Sequence, residues 1–243
     1  DEMVEQVKGN VLECLYESVG VLGSFHPAAN IEGVAYIYHD EDHFFRIWRS
    51  PVGQAVLDDI AKEAGIRVVG PAFHGFRQML TNKPIEKVED LVGLKIRAPG
   101  IPAYIESIRA LGANPATVAF EEVYAALQSH VVDGVEQPLT AIKDKRFYEV
   151  VKNLTVTNHM AETMGFMCNA EWFNGLDEAT RTAIVDSANE SADWYKTYTD
   201  ESQAGLLKEL EGEGVKVSKP DLAPFIAKAS EAKYDAALEP VIE

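Results

Sequence analysis

Two arginines twenty residues apart are the side chains in this sequence best placed to do chemistry. Arg97 ends the run Leu94-Lys95-Ile96-Arg97, which reads as a buried strand, and Ala98-Pro99-Gly100 turns the chain away directly after it. In open α/β sheets, ligands bind in the crevice beyond the carboxyl ends of strands. A guanidinium there presents a planar fork that matches a carboxylate through two parallel hydrogen bonds. Arg77, in Gly75-Phe76-Arg77, precedes it by twenty residues. On spacing alone, a strand-end arginine is as often one half of a surface ion pair, and both readings stay open.

Other constellations promise less. His39-Asp40-Glu41-Asp42-His43 sets two histidines four residues apart, as metal ligands on one helix face are. The order matches neither zinc-protease pattern and no third ligand is evident. The three acids read better as a helix start, where the dipole favours negative charge. There is no G-x-S-x-G nucleophile motif and no glycine-rich phosphate loop, and Cys168 lies in an apolar strand-like run. The residues therefore give no support to an enzyme, and the chemistry requires neither metal nor cofactor. Cys14 and Cys168 permit one disulfide without implying it.

The elements that must hold Arg97 are those of an α/β protein. Ile66–Gly70, Leu94–Arg97, Ala116–Val118, Leu154–Thr157 and Gly165–Cys168 read as strands. Helical spacing of apolar residues appears over Pro51–Ala64, Ala103–Leu111 (stopped by Gly112) and Glu121–Ser129. The longest helix begins after Asp177, a good N-cap, and runs without proline to about Glu211, with Gly205 as a candidate bend. Such a rod, about 50 Å long, suits a bridge between two domains. Alternation of this kind predicts sheets covered by helices on both faces.

Composition narrows the partners. The 243 residues carry a formal charge of −17, which argues against nucleic acid and anionic membrane surfaces. It does not exclude an anionic ligand, because exposed charges beyond about 8–10 Å are largely screened at physiological salt. No apolar run is long enough to span a membrane, and Asp1–Lys8 reads as an amphipathic helix rather than a leader.

Three stretches in order carry a resemblance to a known family. They are Gly93-Leu94-Lys95-Ile96-Arg97-Ala98-Pro99-Gly100, then Ala110–Pro115 through Phe120–Gln128, then Val131–Pro138 followed by Lys145–Val150. From Asp1 to about Tyr234 the chain resembles the substrate-binding proteins of tripartite ATP-independent periplasmic (TRAP) transporters, of the dicarboxylate-binding type. The resemblance implies a two-lobe α/β clamshell in the periplasm, with the long helix bridging the lobes. One lobe would combine 1–74 with 163–202, the other 75–162 with 203–243. It implies a small carboxylate ligand, such as a sugar acid or dicarboxylate, delivered unchanged to membrane permease subunits. A sensory clamshell presenting a small acid to a receptor is the alternative.

By the same resemblance, Arg97 stands at the family's carboxylate-binding arginine and Arg77 at a second, supporting one. Phe120 matches an aromatic that packs on the ligand, Glu17 a position that meets ligand hydroxyls, and His159 a variable contact position. Ordinary core or surface roles stay open for Phe120, Glu17 and His159. Gln137 stands where the family usually has asparagine, so its amide would reach one methylene further. The chain starts inside the family's second helix, so the first lobe is expected to be incomplete. Its open sheet edges would invite strand exchange or a homodimer.

Overall fold

The structure is a computed structural model and describes residues 2–231 and 234. The chain opens with α1 (Glu2–Lys8) and β1 (Cys14–Ser18), passes two 3-10 turns (Val19–Ser24 and Pro27–Gly33), and enters α2 (Glu41–Trp48) and α3 (Pro51–Ala64). Local chemistry sets the helix ends. The Asp40 carboxylate accepts from the His43 amide at 2.6 Å and caps α2, so the histidine pair does mark a helix start. Its two imidazoles stack, with centroids 4.6 Å apart. Ser50 caps α3, Pro51 fills its first turn, and Gly65 ends it at φ 73°.

The remaining elements are β2 (Ile66–Thr81), β3 (Lys95–Ala98), α4 (Pro102–Ala110), β4 (Asn114–Thr117), α5 (Val123–Gln128), β5 (Gly134–Pro138) and α6 (Leu139–Asp144). After them come β6 (Asn153–Asn169), α7 (Ala170–Gly175), α8 (Glu178–Gly212), β7 (Lys216–Ser218) and α9 (Ala223–Ser230). The strands form one sheet in the order β1-β6-β2-β5-β3-β4, with β7 added to β6. β3 runs parallel to β4 and β5, while β2 runs antiparallel to β5 and β6.

Two expected strand boundaries are corrected. Ile66–Gly70 is only the start of β2, and the two segments Leu154–Thr157 and Gly165–Cys168 are one strand, β6. Both long strands survive their interruptions by bulging. The register shifts between Val69 and Ala72, between Phe73 and Gly75, and between Arg77 and Met79. Gly70 (φ 60°), Gly75 (φ 117°) and Asn158 (φ 46°) absorb the left-handed geometry.

β2 and β6 thread two sides of the molecule. Near Ile66–Phe73 they join a core of Val4, Leu22, Phe44, Trp48 and Ile60. Beyond the crossing, Leu80 and Leu154 join a core of Val123, Leu127, Ile142 and Phe147, and Met79 joins a third with Ile96, Ile108 and Phe225. Asp177 caps α8 through the Thr180 amide at 3.0 Å, and the 35-residue helix continues past Gly205. It packs Ala188 on the first side, with Val69 and Phe173, and Leu210 on the second.

The question of the cysteines is answered. Cys14 on β1 is bonded to Cys168, its direct partner on β6, across 154 residues of chain. A loop of that length constrains the unfolded chain by on the order of 5 kcal/mol in the chain-entropy picture. The disulfide staples β1, the strand at the sheet's edge, to its neighbour. Part of the expected C-terminal portion of the second lobe, residues 232, 233 and 235–243, lies outside the described residues.

Candidate functional site

Arg97 is buried, 4% exposed, at the carboxyl end of β3. Its Nε donates to the Val118 carbonyl at 2.9 Å, which fixes the plane of the guanidinium, and its Cζ lies 5.6 Å from the centre of the Phe120 ring. Its two terminal nitrogens make no hydrogen bond among the described residues, and no carboxylate lies within ion-pair distance of them. Burial pushes its pKa down to about 10, with Glu136 opposing, so it remains a cation at neutral pH. A buried charge without a partner is unfavourable. An anion entering between those nitrogens would remove the imbalance.

Arg77 has the opposite surroundings. It is 2% exposed, where β2 crosses from one core to the next. Nε and Nη2 donate to the two carboxylate oxygens of Glu136, Nη2 also to the Glu136 carbonyl at 2.8 Å, and Nη1 to Glu162 Oε1 at 2.8 Å. Its Cζ sits 5.2 Å from the centre of the Tyr104 ring. Burial alone would weaken the charge, but Glu136 and Glu162 raise its proton affinity above the ordinary arginine value. Burial likewise works against ionised Glu136, yet Arg77 and His159 hold that carboxyl below its usual range.

His159 belongs to this knot. It is fully buried, shares a 2.8 Å hydrogen bond between Nδ1 and Thr157 Oγ1, and places Nε2 3.5 Å from Glu136 Oε2. Gln137 follows Glu136 on β5 and therefore faces the other side of the sheet. Val135, two residues before it, is in register with Arg97, which puts Gln137 on the Arg97 side. Its amide makes no hydrogen bond among the described residues. The neighbouring amide in register, Gln78, is engaged instead, donating to Asn158 Oδ1 at 2.7 Å and accepting from the Asn158 amide at 3.0 Å.

Phe120 opens a 3-10 turn (Phe120–Glu122) and packs edge-on against Phe147, with centroids 6.2 Å apart. Lys145 Nζ approaches the same ring at 5.1 Å. Glu17 is half-buried near the end of β1, where one oxygen accepts from the Ser18 amide at 2.8 Å. Burial raises its proton affinity, the Ser18 amide opposes this, and the charges of Glu162 and Glu121 add to the rise. Glu17 thus feels the charges of Glu162 and Glu121, and the same two charges are felt by Arg97.

Sequence reasoning missed Glu136, Glu162 and Tyr104. Glu136 had a signal: a charged residue inside the fully buried strand Gly134–Pro138 demands a cation. Glu162 had none, because its meeting with Arg77 depends on the bulged register of β2 and β6. Among the described residues, no group of three His, Cys, Asp or Glu is arranged to hold a metal.

Residues 1–239 match the model of bacterial extracellular solute-binding protein, family 7. The chain is 31% identical over 223 residues to the sialic acid-binding periplasmic protein of Vibrio cholerae, covering 92% of this chain and 70% of that one. Among solved structures it resembles a TRAP periplasmic solute-binding protein from Roseobacter denitrificans with bound β-D-glucuronate. That match has TM-score 0.91 and 29% identity, and covers 99% of this chain and 80% of the other. A second protein from that organism, with bound L-galactonate, matches at TM-score 0.88 and 26% identity over 95% of this chain and 76% of its own.

Proposed function

Because the chain belongs to the bacterial extracellular solute-binding proteins of family 7, we propose that it captures a small organic acid by its carboxylate in the periplasm. It then hands the acid, chemically unchanged, to the membrane subunits of a TRAP-type transporter. The observation that carries this reading is the buried Arg97, held by Nε and open at both terminal nitrogens. A fork so fixed is organised for two parallel hydrogen bonds to a carboxylate before the ligand arrives.

Gln137 adds its free amide to the same carboxylate, and Phe120 packs against the ligand body. Arg77 supports the site through Glu136 and Glu162 and keeps one N–H for the ligand, since four of its five donors are taken. His159 acts through Glu136, and Glu17 offers its unbonded carboxylate oxygen to ligand hydroxyls. The support for a sugar acid is that the relatives from Roseobacter denitrificans hold glucuronate and galactonate.

The two lobes are 1–74 with 163–202 and 75–162 with 203–243. Their support is the division of the cores at the crossing of β2 and β6. Closure about that crossing would exclude water from Arg97. A disulfide between β1 and β6 suits an oxidising periplasm, and no described helix is long and apolar enough to cross a membrane.

A thermal-shift screen against uronates, aldonates, dicarboxylates and 2-oxo acids tests the reading. Ligand at 100 times its dissociation constant adds about 2.7 kcal/mol of stability. No shift with any acid contradicts it.

A further inference from the structure

A second cavity lies beside the first core, at the start of β2. There β2 has β6 on one side, and its pairing with β5 begins only at Arg77. The other edge of Arg67–Pro71 has no strand partner among the described residues, and it forms the floor of a cavity of about 250 Å³. α3 walls one side with Gln54. The end of α7 and one face of α8 wall the other with Asn174, Arg181 and Asn189.

The lining is one-sided in charge. The chain carries 39 acids against 22 lysines and arginines, yet this cavity is lined by two arginines and, among the described residues, by no acid. Arg181 Nη1 donates to the Asn174 carbonyl at 3.0 Å, and no carboxylate lies within ion-pair distance of it among the described residues. Arg67, its side chain 25% exposed, donates from Nη1 to Asp58 Oδ1 at 2.6 Å. That aspartate is 67% exposed, and surface ion pairs of this kind hold their partners weakly. Each arginine therefore keeps four of its five N–H donors open. The side-chain amides of Asn174 and Asn189 make no hydrogen bond among the described residues. Backbone amides of β2 that point away from β6 add further donors.

We propose that this cavity is a second ligand site, taking a small oxyanion, a phosphate or carboxylate group, between Arg67 and Arg181. A cavity of about 150 Å³ already holds a benzene-sized molecule, so such a group fits with atoms to spare. Two guanidinium forks match its oxygens, and the carboxamides complete the shell. Arg67 stands ten residues before Arg77 on β2, roughly 30 Å of extended strand, so the site is separate from the acid held at Arg97 and does not rest on it. Its guest would tie α8 to β2 on the side that β6 leaves open.

Proton–nitrogen NMR of the intact protein locates the guest. Sodium phosphate and sodium acetate are titrated separately, each against sodium chloride at equal ionic strength. Phosphate is expected to shift the Gly70 backbone amide and the Asn174 and Asn189 side-chain amides together and to saturation, where chloride does not. Acetate doing the same assigns a carboxylate guest, and phosphate alone assigns a phosphate; either supports the site. Arg181→Gln and Arg67→Gln should each weaken binding about tenfold, with the rest of the spectrum showing the variants folded. Shifts no different from those in chloride overturn the proposal. So do saturating shifts confined to the neighbours of Arg97, or shifts that survive both substitutions together.

Discussion

Arg77 and Arg97 carry the same side chain at nearly the same depth, yet their surroundings differ in kind. Arg77 sits where the sheet passes from one core to the other, and two carboxylates and a carbonyl close around it. Arg97 sits at a strand end, fixed through Nε alone, with its outer nitrogens open. The first charge is neutralised by the protein itself and ties β2, β5 and β6 together. The second is left for something that arrives. Burial therefore does not set the two apart; the donors left open do, one on Arg77 and four on Arg97.

Removing each charge should break this symmetry most visibly. Arg77→Met leaves Glu136 buried without its cation and is expected to lower unfolding free energy by about 3–5 kcal/mol. Arg97→Met removes an unpaired buried charge, so it should leave stability unchanged or raise it. Urea denaturation of the two variants reads the difference. A large loss in the Arg97 variant alone would invert the account.

Glu32 extends the comparison to an acid. It is fully buried in the first core, accepting from Tyr38 Oη at 2.8 Å and from the Thr163 amide at 3.2 Å, with no cation at ion-pair distance among the described residues. Burial raises its pKa from 4.5 to about 7, with those hydrogen bonds opposing. The folded state therefore binds the proton more tightly than the unfolded chain does. This stabilising contribution is complete below pH 4.5 and is lost as pH rises toward about 7. Relative to wild type, Glu32→Gln should flatten the fall in melting temperature across that window, an effect of at most a few kcal/mol. A parallel pH profile in the two proteins would contradict it.

How much of this was legible in the sequence depended on whether the signal was local. α3 and α8 were readable because Ser50, Pro51, Gly65 and Asp177 are short-range cap chemistry. β2 and β6 were half readable: Gly70, Gly75 and Asn158 look like strand ends, and only pairing in three dimensions turns them into bulges. Arg97 was legible as a strand-end cation with a turn behind it. Arg77 was legible as a charge but not as a closed one, since Glu136 and Glu162 lie 59 and 85 residues away. The site's positive half is thus written locally, and its negative half emerges from register.

The central claim is that the open fork of Arg97 holds the ligand's carboxylate. Titration calorimetry of wild type and Arg97→Lys, with an acid identified in the screen, tests it most directly. Lysine keeps the charge and loses the fork, so affinity should fall by about 2–5 kcal/mol, or about thirtyfold at the least. Ligand-free unfolding free energy should fall by only about 1 kcal/mol, the net worth of the bond from Nε to the Val118 carbonyl that lysine does not reproduce. Equal affinity in the two proteins would contradict the account.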